Sequence, residues 1–244
     1  MSLETLLAKY KKHYAAIAGQ HGRADAAELA VGGKFYTMGA LEYYVLKAHG
    51  LNDTTYVVDI GCGTGRLAAQ LASRRHPRYA GFDIMESAIS YARDLCRMPD
   101  WHFAVSDGIR VDVPDSSADM VCFFSVFTHI AHEHTFLCLQ ETSRILKPGG
   151  LVIFTFLEFA IPSHWEAFAE AIRNFGKETE PVVFLDRSAV TQFGNYLDFE
   201  ILGLVNGDIP TFPIDEELSL GPTVMMKDKG LLGQSIAILG KRQK

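Results

Sequence analysis

The sequence predicts an α/β chain built on a doubly wound, mainly parallel sheet with helices on both faces. Three observations carry that expectation. A short β-branched run ends in an acid and then a turn with glycine at alternate positions, Val57-Val58-Asp59-Ile60-Gly61-Cys62-Gly63-Thr64-Gly65. From residue 56 onward, apolar runs of strand length alternate with helical patterns. Such alternation requires right-handed crossovers that cover both faces of a parallel sheet. Finally, acids stand just after successive strand-like runs, at Asp83 and Asp107, on the edge where the ligand crevice of such a sheet lies.

Taken in order, residues 3–18 place Leu3, Leu6, Leu7, Tyr10, Tyr14 and Ile17 at helical spacing with lysines between them, an amphipathic helix. After a glycine-bounded break, Phe35 and Tyr36 precede a second helical pattern through Leu41, Tyr44, Val45 and Leu46 that stops near Gly50. Strands are expected at 56–60, 79–83, 101–105, 118–126 and 151–157, with helices at 66–73, 86–96 and 134–146 between them. Helices at 163–174 and from Asp186 to near Tyr196, then strands at 199–205 and 235–240, complete the pattern. The connection 206–233 is too long for a tight hairpin and holds Pro210, Pro213 and Pro222, which makes it a candidate wall of a binding pocket.

The glycine turn is the chemical centre of this plan. Gly61, Gly63 and Gly65 lack a Cβ, so the backbone can take left-handed angles and let a ligand approach. A dinucleotide fingerprint would need its third glycine where Arg66 stands, which argues against a bound pyrophosphate. Asp83, about 18 residues after Gly65, ends the second strand where a carboxylate can accept hydrogen bonds from both hydroxyls of a ribose. Ser106-Asp107-Gly108 puts another carboxylate where an adenine amino group would be met.

Composition sets outer bounds. At 244 residues, 48% apolar and 21% charged, the chain suits one large α/β domain with additions. No apolar stretch approaches the roughly 20 residues of a membrane span, and the start lacks a charged segment followed by an apolar core, so a cytoplasmic location without membrane attachment is expected. Net charge is −6 without a long basic run, which disfavours nucleic acid as partner. Cys62, Cys96, Cys122 and Cys138 form no C-x-x-C pair and read as packed thiols.

The ordered set Asp-Ile-Gly-Cys-Gly-Thr-Gly, Phe-Asp-Ile, Ser-Asp-Gly, Ser-Val-Phe-Thr-His-Ile and Leu-Lys-Pro-Gly-Gly, over about residues 55–158, resembles the small-molecule class I S-adenosylmethionine-dependent methyltransferases. The resemblance implies a Rossmann-like sheet of seven strands, mostly parallel with an antiparallel last strand. It implies a helical segment 1–50 that can act as a lid, with Phe35 and Tyr36 as candidate lid residues, and a domain 51–244 carrying the insertion 206–233. The cofactor would be S-adenosyl-L-methionine, leaving as S-adenosyl-L-homocysteine. Asp59 would orient its amino group, and Gly61, Cys62, Gly63, Gly65 and Arg66 would pass beneath its methionine part. Asp83 would bind the ribose, Ile84 and Met85 would flank the adenine, Asp107 and Gly108 would meet its edge, and Phe124 and Ser125 would complete the wall.

A sulfonium methyl is already activated, so alignment supplies much of the acceleration. An alcohol or protonated amine must still lose a proton, and His129, after the fourth strand, is the best-placed base. His129, His132 and His134 with Glu133 lack the i, i+4 pair of a zinc helix, so no metal is expected. The expected activity is methyl transfer to oxygen or nitrogen of a small molecule. The alternatives are a nucleic-acid or protein methyltransferase, disfavoured because Phe124-Ser125-Val126-Phe127 replaces the Pro-Pro-aromatic run of amino-methylating DNA enzymes, and a cofactor-binding protein without catalysis.

Overall fold

The computed structural model describes residues 34–177, 179, 181–221 and 224–243, together with 5, 8, 9 and 12. Residues 5, 8, 9 and 12 are helical, while the apolar positions expected of the first helix lie outside the described residues.

The interior strand β1 (Val57–Ile60) is buried along its whole length, as a β-branched run covered on both faces should be. It pairs in parallel with β2 (Tyr79–Asp83) and β4 (Ala118–Phe123), and β3 (His102–Val105) lies outside β2. Beyond β4 come β5 (Leu146–Phe156), then β11 (Ser235–Lys241), which is antiparallel to both β5 and the edge strand β6 (Phe199–Val205). The order β3-β2-β1-β4-β5-β11-β6 is a seven-stranded sheet with β4 in the middle and β1 beside it. It matches the expected sheet, including the single reversed strand.

Period-two alternation divides β1 between two cores. Val57 faces the core formed with Leu41, Tyr44, Leu67, Tyr79 and Ile89, whereas Val58 and Ile60 face Phe82, Phe123, Leu139 and Phe154. Helix α1 (Phe35–Ala48) covers the first face and packs on α2 (Arg66–Ser73), with α3 (Glu86–Cys96) alongside. A Cβ on Gly39 would lie 2.4 Å from the Arg66 carbonyl oxygen, so the closeness of α1 to α2 depends on that glycine. Helix α4 (His132–Ile145) and, after a short 3₁₀ turn at Pro162–His164, α5 (Trp165–Arg173) and α6 (Arg187–Tyr196) complete the set. Among the described residues no helix is long and apolar enough to cross a membrane.

Three boundaries differ from expectation. Strand β4 stops at Phe123, because Ser125 turns the chain with φ +60°. Helix α4 starts at His132, two residues early. Strand β5 begins at Leu146, and Pro148-Gly149-Gly150 forms a bulge in its register against β4 instead of a turn before the strand.

The connection 206–233 holds two small ladders, β7 (Phe212–Pro213) with β10 (Lys229–Gly230) and β8 (Leu218–Gly221) with β9 (Val224–Met226). Phe212, Ile214, Leu218 and Met226 are buried in the α1 core. Asp215 and Glu216 take the Tyr44 hydroxyl, and Asp215 pairs with Lys47 at 2.7 Å. The insertion is thus packed on α1. Its ladders of two to four residues are too short to leave a periodic signal.

Candidate active site

The glycine turn is fixed to β2 because Gly61 N and Cys62 N both donate to the Phe82 carbonyl, at 2.7 and 3.0 Å. Gly61, Gly63 and Gly65 have φ of +79°, +54° and +88°, the left-handed region that side chains avoid. Two of them answer to the protein itself. A Cβ at Gly61 would lie 2.3 Å from a Val126 methyl, and one at Gly65 would lie 2.9 Å from Ala92 Cβ. Those two glycines let the turn sit between the β4 loop and α3, a packing need beside the ligand approach expected of them. The turn opens α2, whose first N–H groups and dipole favour an anionic group there.

Asp83 stands half-buried at the end of β2. Its Oδ2 accepts from Gly63 N at 3.0 Å and its Oδ1 from Met85 N at 2.9 Å. Burial raises its pKa, and these N–H groups with that of Ile84 partly offset the rise. Each oxygen keeps a further lone pair, so the carboxylate can tie down the glycine turn and still accept from a diol. Half-buried Ile84 and buried Met85 follow as an apolar flank. A ribose diol can donate to this carboxylate, and the face of a purine fits the apolar flank. Asp107 is exposed, and its Oδ1 closes an Asx turn by accepting from Ile109 N at 2.9 Å and Arg110 N at 2.6 Å. Gly108 N donates to Ser106 Oγ.

Asp59 shares the face of Val57 and is almost fully buried, its Oδ2 accepting from the Tyr79 hydroxyl at 2.8 Å. Burial pushes its carboxyl up to about 7, with the Tyr79 hydrogen bond working against the rise. Unfolded, such a carboxyl ionises near 4. The folded state therefore holds a proton that the unfolded state has lost, and Asp59's contribution to stability is full below about pH 4 and disappears as pH rises through 7. Asp59→Asn is expected to flatten the fall in urea midpoint between pH 4 and 7, and parallel profiles for the two proteins would contradict the shift. Cys62 lies beside this cluster as a buried thiol raised by burial, and all four cysteines are free and buried.

Arg66 points to α1. Its guanidinium forms a buried ion pair with Glu42, itself 2% exposed, and burial raises the Glu42 carboxyl while Arg66 offsets part of that rise. Nothing in the sequence linked these two residues, which lie 24 positions apart.

After β4 the chain makes a tight turn. Phe124 is buried, and Ser125 is held in its left-handed conformation by its N–H donating to Thr155 Oγ1 at 2.7 Å and its carbonyl accepting from Thr128 Oγ1 at 3.0 Å. The Ser125 hydroxyl reaches Gln234 Oε1 at 3.3 Å, at the foot of β11. Half-buried His129 follows, with Nδ1 at 2.9 Å from the Pro181 carbonyl. A carbonyl only accepts, so Nδ1 carries the proton and the neutral ring has its lone pair on Nε2. His129 does not cap the next helix, since Ala131 occupies that position.

Residues 181–185 form an unexpected strap across the ends of β4 and β5. Val183 N donates to Thr128 O, Leu185 N to Leu157 O, and His132 Nε2 to Phe184 O at 2.8 Å, while Leu157 and Phe184 form a parallel bridge. His129 and His132 therefore spend ring N–H groups on the strap, and among the described residues no three potential ligands gather as a metal site. The strap stacks Phe184 on Phe159, with centroids 4.2 Å apart and planes at 10°, and Trp165 and Phe168 complete the cluster. The aromatic density of residues 154–168 was the available signal.

Glu158, at the exit of β5, is buried and bound by Arg187 through Nε at 2.8 Å and by the Ser235 hydroxyl. Burial pushes its pKa up, but the bonds from Arg187 and Ser235 outweigh that and hold it below the usual range. An ionised, fully engaged carboxylate is a structural tie and a poor base.

Residues 57–150 match the sequence pattern of the methyltransferase domain. This span is a class I S-adenosylmethionine-dependent methyltransferase domain. The chain is 31% identical over 135 residues to the 27-O-demethylrifamycin SV methyltransferase of Amycolatopsis mediterranei, covering 53% of this chain and 49% of that one. It is 29% identical over 118 residues to the fatty-acid O-methyltransferase of Mycolicibacterium smegmatis, covering 47% and 42%. The chain thus spans about half the length of such relatives. Its fold matches that of magnesium protoporphyrin IX methyltransferase from Synechocystis, solved with S-adenosylhomocysteine bound, with a TM-score of 0.60, 15% identity and coverage of 95% and 94%. The cofactor of the methyltransferase domain is S-adenosylmethionine.

Proposed function

We propose that the protein transfers a methyl group from S-adenosylmethionine to a hydroxyl oxygen of a small molecule, with His129 as the base. One observation carries the reading: His129 follows the carboxyl end of β4 in the chain, and the Pro181 carbonyl fixes its proton on Nδ1, so Nε2 is the ring nitrogen whose lone pair can take a proton. When bound, the cofactor supplies an electrophilic methyl carbon. The chain supplies position and one proton transfer. Gly61, Cys62, Gly63, Gly65 and the Arg66 backbone would shape the floor under the methionine part, and Asp59 would meet its ammonium, beside which the carboxylate form is favoured. Asp83 accepts from the ribose, Ile84 and Met85 flank the base, Asp107 and Gly108 meet its edge, and Phe124 and Ser125 wall the reacting end. Nitrogen acceptors fit the same geometry, but the 27-O-demethylrifamycin SV methyltransferase and the fatty-acid O-methyltransferase among the sequence relatives favour oxygen. The net charge of −6 supports a small molecule over nucleic acid.

We also read residues 1–50 as a lid on the domain formed by 51–244. Supporting it, Lys9 Nζ bonds the Thr179 carbonyl at 3.0 Å, just before the strap, while α1 lies on α2. Incubation with methyl-labelled cofactor and a panel of phenols and hydroxy acids, read by mass spectrometry, tests the activity. Failure of every hydroxyl acceptor with retained cofactor binding would favour a binding protein without catalysis. Asp83→Ala is expected to weaken cofactor binding, micromolar in the wild type, at least tenfold by calorimetry. Equal affinity in a folded variant would remove Asp83 from the ribose role.

A further inference from the structure

We propose that Phe159, Trp165, Phe168 and Phe184 form the seat for the acceptor's apolar body, so that the acceptor is a hydroxyl compound with a hydrophobic extension reaching about 10 Å from the reacting oxygen. The inference rests on the methyltransfer reading above and adds the substrate class.

The cluster is built as a wall. Phe159 and Phe184 stack face to face, Phe168 meets both edge-on, and Trp165 Nε1 donates to the Phe159 carbonyl at 3.0 Å, which locks the indole in place. Yet Phe159 and Trp165 keep 43% and 48% of their surface exposed. Rigid aromatic rings that pack on one another and still face solvent mark a binding surface more than a core. Continuity with the candidate active site gives the occupant. Pro181 holds His129, and Phe184 is three residues further along the same strap, which in extended backbone is about 10 Å. Phe159 itself is the second residue after Leu157, the last strap partner on the β5 side. A substrate with its hydroxyl at His129 and its body along the strap lies against these rings.

The test uses 4-alkylphenols from ethyl to octyl as probes. Binding is followed by the fluorescence of Trp165, since the other tryptophan of the two, Trp101, is buried. A Trp165→Phe protein assigns the signal. Affinity is expected to rise about 2- to 4-fold per added methylene in the wild type, as full or partial burial of each group dictates. Phe159→Ala, followed by calorimetry, should lose most of that gain while binding ethylphenol and the cofactor normally. Trp165→Ala, at a more exposed position, serves the same end if Phe159→Ala fails to bind cofactor. Phe175→Ala, 92% exposed and outside the cluster, should behave as wild type. A chain-length gain that is absent in the wild type, or retained in both cluster variants, overturns the proposal. The two readings fail separately: tail-dependent binding without methylation of any phenol removes the activity, whereas methylation indifferent to tail length removes the seat.

Discussion

Arg66→Met is expected to destabilise the protein by about 3–5 kcal/mol, the cost of leaving a buried charge without its partner. Glu42 is 2% exposed and lies on α1, so water cannot take over the role of the guanidinium. At the size of this chain, about 2–4 °C are lost per kcal/mol, so the melting temperature should fall by roughly 10 °C. The double variant Glu42→Leu/Arg66→Met removes both charges and should recover most of the loss, because an apolar pair of similar volume fits such a site about as well as an ion pair. Cofactor affinity should drop in the single variant and largely return in the double one, since Arg66 opens α2 directly after the glycine turn and its carbonyl seats Gly39. Calorimetric melting of the four proteins of this cycle decides it. An Arg66→Met protein as stable as wild type would mean that the pair is neutral to folding.

The parts of this molecule that the sequence revealed are those whose causes are local. Helices α2 and α3 and strand β2 begin and end where read, because glycine, proline and the spacing of apolar residues fix them within a few positions. What was missed is set by partners far along the chain. Phe124-Ser125-Val126-Phe127 is as apolar as a strand, but Thr155, thirty residues on, holds Ser125 in a turn. The strap at 181–185 exists only through Thr128, His129, His132 and Leu157, so nothing within the strap announces it. Glu42 sits in an apolar helix pattern, and only the packing of α1 on α2 reveals what it is for. The positions of Asp83 and Asp107 at strand ends were legible because fold topology sets them. The bond of Asp83 to the glycine turn was not legible, whereas Asp107 closes a turn, as its residue type alone suggests.

His129→Ala is expected to lower kcat about a hundredfold or more on a hydroxyl acceptor, with a smaller change in KM, as removal of a general base does. With its proton fixed on Nδ1, the ring keeps a lone pair on Nε2 able to receive a proton. The Pro181 carbonyl contributes by fixing the tautomer: it accepts the Nδ1 proton and becomes a better partner once the ring is charged. A general base acts only in its unprotonated form, so the wild-type rate should fall on the acid side, and that limb should vanish in the variant. His129→Gln separates the two ways in which the residue can act. A glutamine can hold an acceptor hydroxyl but cannot take its proton, so a positioning role predicts recovery of kcat and a base role predicts none. The same measurement on a phenol already ionised at high pH should show a much smaller loss, because no proton remains to be removed. A His129→Ala enzyme with near-normal kcat and an unchanged acid limb would exclude the base role. Glu158 could not replace it there, since Arg187 and Ser235 hold its carboxylate ionised and engaged.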